Sequence, residues 1–316
     1  MKISLIPAGD ISTASSRIRV YSLYRELKKR GTKVSIGIQP GSNVIFVQKR
    51  IDQDLISKLK NEKRPNNLII YDVDDSGSAL NYWASPELVE DIFKLADFIT
   101  TDTLSRIDYI KSQNANLKVE LIPDCIDYFP SKPLPLNKIG DFRMRVLWFG
   151  SFSNIDLFKP YISTLCDIPN LDLVMITNQN SLGEIKADYP NIITIPWNEE
   201  NFTNDLRSCH LTCLMHDNSG INSMKSNNKM IASIAWGIPA VISRTTEYER
   251  TAKKAGIEYC LFNNQKEMAE IIESLRPIEK RKEYLNASQK IIWENYSPER
   301  VADIFLSLIA EQLSKK

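Results

Sequence analysis

Short runs of β-branched and apolar residues alternate with amphipathic stretches along this chain, and that alternation admits few folds. KISLIP is followed by a helical period over Arg17 to Arg30, in which Ile18, Tyr21, Leu23, Tyr24 and Leu27 are apolar. KVSIGI, VIFVQ, an amphipathic Asp54 to Leu59, LIIYDV, a helical Glu87 to Leu95, FITT, a helical Leu104 to Ser112 and VELI continue the series. Strands that alternate with helices pair in parallel through right-handed crossovers. Ser15 or Ser16 is placed to cap the first helix, and Gly31 to end it.

The series breaks once, at FPSKPLPLNKIGDF (129–142), which has three prolines, one glycine and no periodicity. It then resumes with RVLWFG, LDLVMIT, IITIPW, HLTCLMH and AVIS as strands, and with helices around Lys159 to Leu165, Asn201 to Ser208 and Asn228 to Trp236. The expected fold class is therefore α/β, with two Rossmann-like domains whose parallel sheets face a cleft at their carboxyl ends. The expected division is a first domain over 1–129, a linker over 130–142 and a second domain over 143–294. The last segment, 295–316, sets Val301, Ile304, Phe305, Leu308 and Ile309 on one helical face and is expected to pack back on the first domain.

Composition narrows the function classes. The 316 residues are 43% apolar and 25% charged, and 40 basic against 39 acidic residues leave a net charge of +1, so no basic field for nucleic acid is present. The longest apolar stretch, Met230 to Ile242, is interrupted by Ser233, Gly237 and Pro239 and falls short of the ~18 residues of a spanning helix. Five cysteines without scaffold spacing fit a reducing compartment. These features predict a cytoplasmic protein with at most peripheral membrane contact, at the inner face. No G-x-G-x-x-G follows either opening strand, GINSMKS lacks the second glycine of a P-loop, and no G-x-S-x-G occurs, which counts against dehydrogenase, kinase and hydrolase readings.

The segment KSNNKMIASIAWGIPAVIS (225–243) carries the most chemistry. Ser226, Asn227 and Asn228 are candidate caps for a helix whose positive end suits a phosphate, and Lys225 and Lys229 add cationic donors. The competing reading is a capped core helix with a lysine at its exposed end. In the first domain, Asp72, Asp74 and Asp75 of YDVDD stand at a strand's carboxyl end, with Asp72 and Asp74 on one face and Asp75 on the other. They are candidates for a general base, a divalent cation site or a plain helix cap. Arg17 and Arg19 suit a phosphate or carboxylate on an acceptor, or else pair with Asp10 or Glu26. Cys209, His210, Cys213 and His216 alternate along a strand, so the two cysteines and two histidines point to opposite faces and one zinc cannot collect all four. His216 and Asp217 end that strand at the cleft side.

Taken in order, ASSRIRVYSLYRELKKRG, IIYDVDD, ADFITTDT, VELIPDCID, RVLWFGS and KSNNKMIASIAWGIPAVIS resemble a GT-B glycosyltransferase. The resemblance is to the family 4 enzymes of bacterial surface polysaccharide assembly. It implies a second domain that grips a nucleotide-sugar through Gly150, Ser151, His216, Asp217, Lys225, Ser226, Asn227, Asn228 and Lys229, and a first domain that presents a glycan or lipid-linked acceptor to Arg17, Arg19, Asp74 and Asp75. The nucleotide-sugar is a substrate, and neither a metal nor another cofactor is implied. The family's two donor-site glutamates fall on Met224 and Ala232, and the arginine after the second domain's first glycine falls on Ser151. The resemblance implies retention of anomeric configuration, with the leaving phosphate taking the proton; an aspartate base favours inversion. A sugar-nucleotide epimerase and a non-catalytic nucleotide-sugar or glycan binder are the alternatives.

Overall fold

The computed structural model describes residues 1–74, 84–137, 139–140, 142–151, 154–178, 183, 185–186 and 188–316. They divide into two compact units. The first comprises Met1–Asp127, Met224–Ser226 and Asn295–Lys316, and the second Tyr128–Ser223 and Asn227–Glu294.

The first unit runs β1 (Lys2–Ile6), α1 (Ala14–Ser16), a π-helical turn (Arg17–Tyr21), α2 (Ser22–Lys29), β2 (Lys33–Ile36), β3 (Val44–Gln48), α3 (Gln53–Glu62), β4 (Leu68–Val73), α4 (Pro86–Leu95), β5 (Phe98–Thr101), α5 (Leu104–Gln113) and β6 (Val119–Leu121). Its six strands are all parallel, in the order β2-β1-β3-β4-β5-β6. The first helix starts at Ala14 with no side-chain cap bond, so neither Ser15 nor Ser16 caps it. It does end at Gly31: φ is 75°, Thr32 N donates to Leu27 O, and Gly31 N donates to Lys28 O, the paired bonds of a Schellman motif.

Alternation sorts the strand residues into two buried layers. Ile3, Leu5, Phe46 and Ile70 face the first helix, whereas Ile45, Val47, Ile69 and Tyr71 face α3 and α4. Burial of both faces explains why VIFVQ and LIIYDV read as continuous apolar runs.

The second unit runs β7 (Met144–Phe149), α6 (Ile155–Asp167), β8 (Leu171–Thr177), β9 (Ile193–Pro196), α7 (Phe202–Arg207), β10 (Leu211–Leu214), α8 (Asn228–Ala235), β11 (Ala240–Ser243), α9 (Thr246–Ala255), β12 (Leu261–Phe262), α10 (Gln265–Ser274) and α11 (Ile278–Tyr296), the last turn of α11 already belonging to the first unit. Its strands are also all parallel, in the order β12-β11-β10-β7-β8-β9. β12 and the helices α9 to α11 are additions to the elements read from the sequence.

The proline-rich segment is fastened to this second unit. Leu134 N donates to Ala235 O, Trp236 Nε1 to Tyr128 O, and Gln289 Nε2 to both Leu134 O and Ile234 O. Gly237, at φ 79°, lies so close beneath that a Cβ there would stand 2.4 Å from Pro135 O and 2.6 Å from Leu134 O. Residues 128–137 thus form a strap tied down largely by backbone groups.

The chain closes with α12 (Pro298–Leu313), capped by Ser297, whose hydroxyl accepts from Arg300 N. Val301, Ala302, Phe305 and Ile309 join the core layer of Ile3, Leu5 and Phe46, with Phe305 edge-on to Phe46 at 5.6 Å. Each large side chain so buried contributes about 1.5–3 kcal/mol, which anchors α12 to the first unit. Among the described residues, no helix is long and apolar enough to cross a membrane.

Candidate functional site

Open parallel sheets bind ligands outside the carboxyl ends of their strands, where the strand order reverses. In the first unit the reversal lies between β1 and β3. There the face that carries Phe46 and Ile70 becomes polar in its next residues, Gln48, Asp72 and Asp74. Gln48 is fully buried; its Oε1 accepts from Ser16 Oγ at 2.9 Å and Ala8 N at 3.2 Å, and its Nε2 donates to Asp74 Oδ2 at 2.8 Å. Ser16 Oγ in turn accepts from Gly9 N at 2.9 Å. Lys49 holds φ at 34°, rare for a residue with a Cβ, and places Nζ 3.2 Å from Asp74 Oδ1.

The two arginines expected to meet an acceptor are instead consumed inside the first unit. Arg19 grips Asp72 through two 2.6 Å bonds and reaches Ile122 O and Asp124 Oδ1 at 2.9 and 3.0 Å. Arg17 forks onto Asp127 through two 2.8 Å bonds and donates to Ile11 O and Ser12 O. Burial opposes the Arg19 charge, but Asp72, Asp124 and Asp74 outweigh it and hold the guanidinium well above its ordinary range. Burial likewise pushes the Asp72 carboxyl up against the pull of Arg19. Neither arginine pairs with Asp10 or Glu26 in these bonds. Their role is to lock the segment after β6 onto the first helix, where the π-helical turn carries both of them. Asp72 is occupied by the same pairing and by Thr100 Oγ1 at 2.6 Å. Asp75 lies outside the described residues.

In the second unit the reversal lies between β7 and β10. Gly150 follows β7, and its N–H donates to Ile176 O at 3.1 Å. A Cβ at Gly150 would stand 2.6 Å from Lys229 Nζ, so the ammonium lies directly over this glycine, with the Trp148 and Phe149 rings 5.9 and 5.8 Å from it. Ser151 is exposed beside it. His216 follows β10; its N–H donates to Ser243 Oγ, the same hydroxyl donates back to His216 O, both at 2.8 Å, and its ring stacks on Tyr248 at 5.6 Å. Asp217 accepts from Ser219 N at 3.2 Å and closes its own turn.

No side chain caps α8. Asn227, only 3% exposed, donates instead to Thr251 Oγ1 of α9 at 2.7 Å. Lys225 and Ser226 group with the first unit, where Ser226 Oγ donates to Asp124 Oδ2 at 2.7 Å. The expected donor set is thus split: Gly150, Ser151, His216, Asp217, Asn227, Asn228 and Lys229 lie in the second unit, and Lys225 and Ser226 do not. Met224 and Ala232 are buried at 7% and 4% exposure, so no acidic group replaces them at those positions. Cys209, His210 and Cys213 are core residues, and His210 Nδ1 accepts from Arg145 N at 2.9 Å. Among the described residues, no three histidines, cysteines or carboxylates come together to hold a metal ion.

Sequence reasoning missed Gln48, Lys49, Asp124, Asp127 and Tyr248. The one available signal was IPDCID, whose two nearby aspartates are the carboxylates that Arg19 and Arg17 take, 105 and 110 residues away.

No protein-family model matches the sequence, and no curated protein matches it. Solved structures do. HepE from Anabaena, in complex with UDP and glucose, superposes with a TM-score of 0.69 at 12% identity, covering 98% of this chain and 99% of that one. T4 phage β-glucosyltransferase with its UDP-glucose substrate gives 0.63 at 17% identity over 98% and 99%. TarM gives 0.63 at 13% identity over 91% of this chain, which spans 57% of TarM's length. These likenesses establish the fold: two Rossmann-like α/β domains of the GT-B type.

Proposed function

We propose that the protein is a glycosyltransferase that moves a sugar from a nucleotide-sugar to a glycan or lipid-linked acceptor in cell-surface polysaccharide synthesis. The observation that carries this reading is the Lys229 ammonium held over Gly150 at the second unit's switch point. Glycosyl transfer requires stabilisation of a departing nucleoside diphosphate. A lysine and the start of α8, beside a glycine whose missing Cβ lets the ammonium come close, supply it. The solved neighbours that carry UDP or UDP-glucose point to a uridine nucleotide.

On this reading the first unit is the acceptor side. Both Asp74 oxygens already face donors, Gln48 and Lys49, so Asp74 orients an acceptor hydroxyl and the leaving phosphate takes the proton. Transfer then proceeds with retention and without a metal ion. Retention is read from the anomeric proton coupling of the product; an inverted product would move the proton to a carboxylate base. The buried Met224 and Ala232 favour one second reading, a binder without turnover.

A nucleotide panel followed by donor assays tests the proposal. UDP at ~100 times its Kd adds about 2.7 kcal/mol and raises the melting temperature; a panel in which no nucleotide does so refutes the reading. Turnover of UDP-sugar only with acceptor marks a transferase, turnover of donor alone an epimerase, and saturable binding without turnover a binder. Activity should survive a chelator, and Asp74→Asn should lower turnover while leaving UDP affinity near wild type. Loss of activity on chelation, restored by manganese, would overturn the metal-free mechanism.

A further inference from the structure

Away from both switch points, the second unit holds a cavity of about 580 Å³ between the strap and α11. That volume lies in the range of small-molecule sites, about 300–1,000 Å³. Two amides set its polarity. Asn137, 8% exposed, donates from Nδ2 to Arg207 O and Cys209 O at 2.5 and 2.7 Å. Gln289 donates from Nε2 to Leu134 O and Ile234 O at 2.7 and 2.9 Å. An amide nitrogen carries two hydrogens, so both nitrogens are committed, and Asn137 Oδ1 and Gln289 Oε1 are what these side chains can offer a ligand. Lys282 and Asn286, one turn apart on α11, add an ammonium and an exposed amide, and Pro133 and Leu285 add apolar wall.

Fixed acceptor oxygens demand donors from whatever fills the cavity, because an apolar occupant would strip them of water without replacement. Hydroxyl groups meet that demand, and the C–H faces of a sugar ring suit proline and leucine. The ammonium of Lys282 adds a preference for one carboxylate. We propose that this cavity is a second saccharide site, distinct from the nucleotide-binding residues, that takes a hydroxyl-rich chain bearing a uronate. The inference goes beyond glycosyl transfer and holds whether or not the protein turns over a donor.

The test uses the full chain with a glucuronate-containing tetrasaccharide and neutral maltotetraose as probes, followed by saturation-transfer NMR and calorimetry. The acidic probe should bind more tightly than the neutral one. Lys282→Ala should weaken it about tenfold, one charge-assisted hydrogen bond, and remove the preference. Asn286→Ala should weaken both probes. Lys282 and Asn286 are exposed, so both variants keep the fold. Excess UDP should leave the saccharide in place. No binding at millimolar concentration, equal affinity for the two probes, an unaffected Lys282→Ala variant, or displacement by UDP would each overturn the proposal.

Discussion

Replacing Gly150 by alanine probes the donor site with a single methyl group. The new Cβ would stand 2.6 Å from Lys229 Nζ and 3.5 Å from the Trp148 ring. The ring distance is ordinary contact, so the lysine must yield, retreating by about 0.8 Å to reach ordinary contact at 3.4 Å. A charge-assisted hydrogen bond to phosphate at about 2.8 Å does not survive that displacement. Its loss costs roughly 1.5–3 kcal/mol, or about 10- to 150-fold in Kd for UDP. Folding should be nearly unaffected, because the displaced atom is the far end of a flexible side chain. Calorimetry with UDP gives the affinity, and a thermal melt gives the control. The decisive comparison is a double-mutant cycle: in a Lys229→Ala background the extra methyl should cost almost nothing more. Gly150→Ala binding UDP as tightly as wild type, or losing the same free energy in both backgrounds, would refute the placement of the diphosphate against Lys229.

Two further expectations concern the first unit. Arg19→Met leaves Asp72 buried without its cation and should destabilise the fold by about 3–5 kcal/mol in urea melts, whereas Arg19→Met with Asp72→Leu should recover much of that loss; an equal loss in both would mean the pair is not the cause. Asp97 accepts from Lys316, Lys63 and Ile69 N, each at 2.7 Å. Burial would raise its pKa, but these partners lower it overall. A depressed folded-state pKa contributes stability that is present above the unfolded value, near 4, and is lost as pH falls through the folded one. The stability gap between wild type and Asp97→Asn should therefore be full at neutral pH and shrink below about pH 4; a gap constant from pH 7 to pH 2 would refute the assignment.

Strands such as VIFVQ and LIIYDV were legible because runs of five or six mainly apolar residues, buried on both faces, have few other uses. β12 was not, because Leu261 and Phe262 carry no period. Alternation correctly set Asp72 and Asp74 on one face, yet it could not reveal that Asp72 belongs to Arg19. Local pattern reaches only a turn or two, and the carboxylate partners of Arg17 and Arg19 stand 53 to 110 residues away. For the same reason two exposed-looking arginines proved to be buried. The fastening of the strap was hidden in another way: prolines signal the absence of periodicity, which says nothing of contact, and Gly237 could be read as a helix end without revealing what lies above it. Lys229 was legible as a cation near a helix start, but its position over Gly150 was not.

The strap has a further consequence for how such a sequence can drift. Leu134 N, Leu134 O, Pro135 O and Tyr128 O help fasten it, and these anchors are backbone groups, of which only the N–H at Leu134 would be lost to proline. Substitution at its exposed residues Ser131 and Lys132 is therefore nearly invisible to the fold, whereas gain or loss of one residue would slide each carbonyl off its donor and lift the chain from Gly237. Related chains should vary in composition here while conserving the count between Tyr128 and Asn137, a constraint of length written without a motif.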